Sequence, residues 1–189
     1  LDGQASGVAT ISNKGTIGYA GSFGPVGVSA SYNKDDKASP TTTAGSSHSL
    51  VVSMSPADGV SAFIGTGDKS GSTANNGTDM YTAGVTYTAG AFTLGFQTTD
   101  IDVSAVNGDT DRNHLAASFA VNENMSISYG MSTVGFEDPA KVDQEDAGVA
   151  VSYTMGSMTL GAFRNTSDDV AGTASAEDSV TEVSLAFAF

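Results

Sequence analysis

At 189 residues with a formal net charge of −14, the chain sets 21 Asp and Glu against only 7 Lys and Arg, too few cations to neutralise a nucleic-acid backbone. It has no Cys, which excludes a disulfide framework and a thiolate metal site. Gly, Ala, Ser, Thr, Val and Asp dominate, which favours strands and turns, and no run of about 18 apolar residues offers a transmembrane helix.

Taken in order, the chain is a succession of segments in which every second residue is apolar and the intervening ones are small or polar, the period of a strand with two unlike faces. A weaker strand over Thr16 to Phe23 precedes Val26, Val28, Ala30 and Tyr32. Leu50, Val52 and Met54 follow, then Val60, Ala62 and Ile64, then Ala83, Val85 and Tyr87. Phe92, Leu94 and Phe96 alternate with Thr93, Gly95 and Gln97; Leu115, Ala117, Phe119 and Val121 come next. Met125, Ile127, Tyr129 and Met131 alternate with Ser126, Ser128, Gly130 and Ser132. The last segments carry Ala147, Val149, Val151 and Tyr153, then Met158, Leu160 and Ala162, then Val183, Leu185, Phe187 and Phe189. The count is about eleven strands. A strand over Ala5 to Ser12, turned at Asn13-Lys14-Gly15, would make about twelve and a closed, narrower barrel.

The connections alternate in length. Gly24-Pro25, Pro56 to Gly59, Ala89-Gly90, Asn122 to Asn124 and Gly156-Ser157 are tight turns, whereas residues 35 to 46, 68 to 78, 100 to 111, 135 to 145 and 166 to 178 are predicted as long loops holding most of the Asp and Glu. Short turns at one rim and long loops at the other is the layout of an outer-membrane barrel. A soluble sandwich needs large side chains on its inner faces to fill a core, and here the second face is Ser, Thr, Gly and Ala, which suits a wet lumen. The mean hydropathy of −0.05 fits alternating lipid-facing and lumen-facing residues. The prediction is an all-β, antiparallel, up-and-down transmembrane β-barrel forming a single domain over residues 1–189.

At the last strand, Val180-Thr-Glu-Val-Ser-Leu-Ala-Phe-Ala-Phe189 looks like the terminal assembly signal of outer-membrane barrels. With Tyr87-Thr-Ala-Gly-Ala-Phe-Thr-Leu-Gly-Phe96 and Phe23-Gly-Pro-Val-Gly-Val-Ser-Ala-Ser-Tyr32, the chain resembles the general diffusion porins of α-proteobacteria over nearly its whole length. That resemblance implies a trimer of sixteen-stranded barrels in the bacterial outer membrane. About eleven strands of such a barrel implies that its first strands and the inward-folded constriction loop lie before Leu1. The implied partners are outer-membrane lipid, lipopolysaccharide, small solutes and cations. The implied activity is passive diffusion of small hydrophilic solutes, cation-preferring here because acidic loops crowd the mouth. The rival is a non-channel, adhesin-like surface protein with acidic cation-binding loops.

Parity places Gln97, Arg112, His114 and Glu182 with the lumen-facing set, as candidate pore-lining residues. Arg164 shares the lipid-facing parity of Leu160 and is expected beyond the apolar band, touching lipopolysaccharide or a loop. The tyrosines at 19, 32, 81, 87, 129 and 153 fit aromatic girdles. No enzyme is predicted: His48 and His114 have no readable nucleophile beside them. No cofactor is required, but Asp100, Asp102, Asp109 and Asp111 are candidate loop ligands for Ca²⁺. The start Asp109, Asp111, Asn113 is that of a calcium loop, although the sixth position is His114 rather than Gly and the twelfth is Ala120 rather than Glu. A merely solvated acidic rim is the other reading of the same residues.

Overall fold

The computed structural model describes residues 16–34, 45–70 and 77–188. They form one sheet of eleven strands in chain order: β1 (Thr16–Phe23), β2 (Val26–Lys34), β3 (Ser46–Ala57), β4 (Val60–Lys69), β5 (Thr78–Ala89), β6 (Phe92–Val103), β7 (Thr110–Asn122), β8 (Met125–Phe136), β9 (Gln144–Met155), β10 (Met158–Asp168) and β11 (Asp178–Phe187). Every neighbour pair is antiparallel, the up-and-down order expected from the alternation of turns and loops. Among the described residues β1 and β11 are the sheet's two edges. The proposed strand over Ala5 to Ser12 and the terminal Phe189 lie outside the described residues, as do the loop acids Asp35 and Asp36.

The tight turns hold at one rim because four of them place a glycine at positive φ. The demand is strictest at Gly59, with φ 75° and the Thr88 carbonyl lying where a β-carbon would go. The β7–β8 turn uses other chemistry: Asn122 Oδ1 accepts the Asn124 N–H at 2.9 Å, and a register shift between Ala120 and Asn122 absorbs the bend.

The register carries one apolar face across the sheet. Val85 stands opposite Phe96, Phe96 opposite Leu115, and Leu115 opposite Met131. These side chains point away from the protein: Ile64 is 63% exposed, Phe96 45% and Leu185 53%. Among the described hydrophobic residues only Val134 is buried, while Asn33, Thr82 and Thr99 are buried polar residues. Burial is thus inverted relative to a water-soluble sheet. About 25 cal/mol is lost per Å² of apolar surface left in water, so a face this long is stable only against hydrocarbon. The six tyrosines all project on this face, each at least 40% exposed.

The predicted loops are shorter than their acidic content suggested. β6 continues to Val103 and β7 starts at Thr110, leaving 104–109; likewise 137–143 and 169–177 separate the next pairs. Hydrophobic alternation stops where lipid stops, but the backbone ladder continues into water. Asp100, Asp102, Asp111, Glu145 and Asp146 therefore belong to strands, not to loops. The β10–β11 connection is itself ordered by a 3-10 turn at Val170–Gly172 and by Ser175 N–H donating to Asp169 Oδ1 at 2.6 Å.

Candidate functional site on the inner wall

Opposite the apolar face the sheet presents hydroxyls, amides and glycines. The register lines up Gln97, His114, Ser132, Asp146 and Ser167 across β6 to β10, one residue from each strand and all on the inner face. Gln97 Nε2 donates to the Thr82 and Thr99 hydroxyls at 3.4 and 3.3 Å, and Thr82 and Thr99 share a hydrogen bond of 3.0 Å. Ser31 and Ser49 repeat this side-by-side hydroxyl pairing on β2 and β3, at 2.6 Å. A wall whose polar groups satisfy one another sideways needs no partner on the other side of the lumen.

Asp146 is the most highly connected side chain of the row. Its Oδ2 accepts from Ser132 Oγ at 3.0 Å and its Oδ1 from Gln144 Nε2 at 2.9 Å, and Ser167 stands opposite it across β9 and β10. Toward the turns the next residues on this face are Ala116, Gly130 and Gly148, and their small size opens a groove of about 480 Å³. His114, Asp146, Asn165 and Ser167 stand along that groove.

The four residues expected to line a pore are all on this face but are not equally placed. Gln97 and His114 belong to the row. Arg112 lies two residues nearer the loops on β7, opposite Thr99 and Val134. Glu182 is on edge strand β11 opposite Phe163, apart from the other three. Asp146 was missed because it borders the acidic stretch predicted as the loop 135 to 145. The signal was present all the same: the parity of Ala147, Val149 and Val151 puts residue 146 on the opposite face.

The four candidate Ca²⁺ ligands fall differently. Asp100 and Asp102 share the outward parity of Phe96, and Asp111 faces Asp100 across β6 and β7. Asp109 is a loop brace, its Oδ1 accepting the Val103 N–H at 2.8 Å. Among the described residues no three His, Asp or Glu side chains come together as an ion-holding group. Of the two histidines, His48 pairs through Nδ1 with Asp68 Oδ1 at 3.2 Å on the outward face. Arg164 sits on that face too, between Val149 and Thr181, one step beyond Ala162 where the apolar band ends on β10.

A meandering antiparallel sheet with an apolar outside, a polar inside, short turns at one rim and loops at the other defines the class of membrane β-barrels. The family model for the Gram-negative porins matches residues 1–188, and the chain belongs to that family, whose place is the bacterial outer membrane. Sequence comparison with curated proteins finds no match. Among solved structures the chain is similar in fold to an anion-selective porin from Comamonas acidovorans, with 18% identity, a TM-score of 0.75, and coverage of 92% of this chain and 59% of that one. It is also similar to a loop-deletion mutant of OmpT from Vibrio cholerae (16% identity, TM-score 0.67, 88% and 60% covered). A third likeness is to a triple mutant of the Rhodobacter blastica porin (17% identity, TM-score 0.65, 92% and 55% covered). The chain thus spans about 55–60% of the length of these three porins.

Proposed function

We propose that the chain forms part of the wall of a water-filled channel through which small hydrophilic solutes diffuse passively across the outer membrane, with no covalent chemistry and no energy coupling. The observation that carries this reading is the inverted burial: side chains such as Phe96 and Leu185 face outward, while Gln97, Ser132, Asp146 and their neighbours face inward. A hydroxyl-rich wall keeps water in the lumen, and lipid covers the other face.

The channel prefers cations. The net charge of −14 and the carboxylates at the loop rim raise the local cation concentration within about one Debye length, near 8 Å at physiological salt. The Comamonas porin is described as anion-selective, but at 18% identity its wall charges do not transfer to this chain. The general-diffusion type, the homotrimer and contacts of the outer rim with lipopolysaccharide belong to the same proposal. They rest on the resemblance of the segments around Tyr32, Phe96 and Phe187 to the porins of α-proteobacteria.

Planar-bilayer recording of the full-length protein tests it. Stepwise conductance with a reversal potential of cation-preferring sign under a KCl gradient is the expected result, the preference weakening as salt rises. Absence of conductance from protein whose gel mobility shifts on boiling, the mark of a folded barrel, would overturn the channel and leave an adhesin-like surface protein.

A further inference from the structure

We propose that Asp146 is a specificity-determining residue of the lumen, the carboxylate at which a permeating cation makes contact along the groove floored by Ala116, Gly130 and Gly148, and that Gln144 is its positioning residue. The assignment rests on the channel reading above and names the side chain that acts inside the lumen, as distinct from the acids at its mouth.

The orientation of the Gln144 amide follows from hydrogen-bond direction. The Ala171 N–H can only donate, so the Gln144 side-chain oxygen, 2.8 Å from it, is the acceptor. That fixes the amide: its nitrogen faces Asp146 Oδ1 at 2.9 Å and donates. Ser132 donates to the other oxygen. Two neutral donors, Gln144 and Ser132, hold the carboxylate in one orientation without cancelling its charge.

No cation cancels it either. The ion pair within 4.0 Å among the described residues is His48 with Asp68, on the outward face. Of the cationic side chains that share the wall, Arg112 lies on β7, two strands away and about 9.6 Å across the sheet at the usual strand spacing, and Lys69 lies farther off on β4. Along the inner face of β5 to β10 the remaining side chains are Ser, Thr, Gly, Ala, Gln, Asn, His or apolar, so Asp146 is the one carboxylate on those strands, with Asp178 and Glu182 following on edge strand β11. Gly130 nearby leaves space in which a hydrated ion approaches, while the Asn165 side-chain amide oxygen reaches over Gly148 and adds a second polar group to the groove.

The test is the K⁺/Cl⁻ permeability ratio of the full-length protein in planar bilayers. A unit charge about 5 Å from an ion in water changes its local concentration about fourfold, and Asp146→Asn is expected to lower the ratio by that order. At about 1 M KCl, where the Debye length is about 3 Å, the drop is expected to shrink but not to vanish, whereas any contribution of the mouth acids is screened out. Asp146→Cys gives an independent reading, because this chain has no other thiol. The thiolate attacks a sulfonatoethyl methanethiosulfonate, a mixed disulfide forms and methanesulfinate leaves. The restored negative charge is expected to raise the ratio again, and the trimethylammonium reagent to lower it further. A conducting parent whose ratio is unmoved by both variants overturns the role of Asp146 alone; a parent that does not conduct overturns the channel reading beneath it.

Discussion

Gln144 is gripped from two sides, giving its amide hydrogen to Asp146 at 2.9 Å while taking the Ala171 N–H at 2.8 Å. One side chain thereby couples the inner wall at the start of β9 to the 3-10 turn in the β10–β11 connection, and Val142 N–H reinforces the tie by donating to the Gly172 carbonyl at 3.2 Å.

Gln144→Leu should therefore free the connection without unfolding the sheet. Losing a hydrogen bond of this kind costs about 1 kcal/mol or somewhat more, which is a five- to tenfold gain in local opening on the order-of-magnitude scale. Amide hydrogen exchange at Ala171 should accelerate by about that factor while exchange in β8 stays unchanged. Gln144→Glu offers the comparison: it keeps the acceptor for Ala171 but sets a second negative group beside Asp146, so its Ala171 amide should remain protected.

The two faces of β7 make opposite forecasts for adjacent residues. Leu115 points to lipid and Ala116 to the groove. An Arg in the hydrocarbon band of a barrel costs about 2–4 kcal/mol at the midplane, so Leu115→Arg should lower the yield of the heat-modifiable folded form. Ala116→Arg meets water instead; it should fold with the parent's yield and reduce single-channel conductance by filling the groove. Equal folding yields for the two variants would contradict the assignment of faces.

The same strand shows what the sequence reveals and where it stops. Leu115, Ala117 and Phe119 alternate with small residues, and alternation is imposed by a physical boundary between lipid and water, so face and strand were both legible. Above Asn113 both faces are wet, the pattern has nothing left to report, and Asp111 was read as loop although it pairs with Asp100 and Gly135. Counting parity puts Gln97 and His114 on the face opposite Leu115, but which residues of that face share a row depends on cross-strand register. Register is set by the turns and a bulge, as at Ala120 and Asn122. Ser132 and Asp146 lie on different strands and are brought together only by that register.

Turn chemistry yields a contrast between two glycines. Gly59 has φ 75° and faces the Thr88 carbonyl so closely that any β-carbon must displace backbone. Gly156 has φ 61° with nothing within 4 Å. Gly59→Val should destabilise the barrel by about 1–3 kcal/mol, seen as a lower temperature for loss of the fast-migrating form. Gly156→Asn should be close to neutral, since Asn tolerates the left-handed region and has room there.

At the outer rim, beyond the apolar band, like charges stand opposite each other: Asp79 faces Asp102 and Asp100 faces Asp111. Such pairs oppose strand pairing. The Asp100 carboxyl, by sharing a hydrogen bond, and the negative charges of Asp100, Asp109 and Asp79 hold the Asp102 pKa above its ordinary 3.8. A carboxyl whose folded pKa is raised binds its proton more tightly in the barrel than in the unfolded chain. Its stabilising contribution is complete below pH 3.8 and is lost as pH rises through the folded value. Once the pH exceeds the folded value, Asp102 is ionised in both states and the repulsion opposes folding. Asp102→Asn removes that repulsion, so the variant should melt at a higher temperature than the parent at pH 7, and the gap should close once the pH falls below 3.8. Melting temperatures measured by gel mobility across that range check both halves of the forecast. A gap that persists unchanged in acid would mean that Asn stabilises the rim by packing rather than by discharging it.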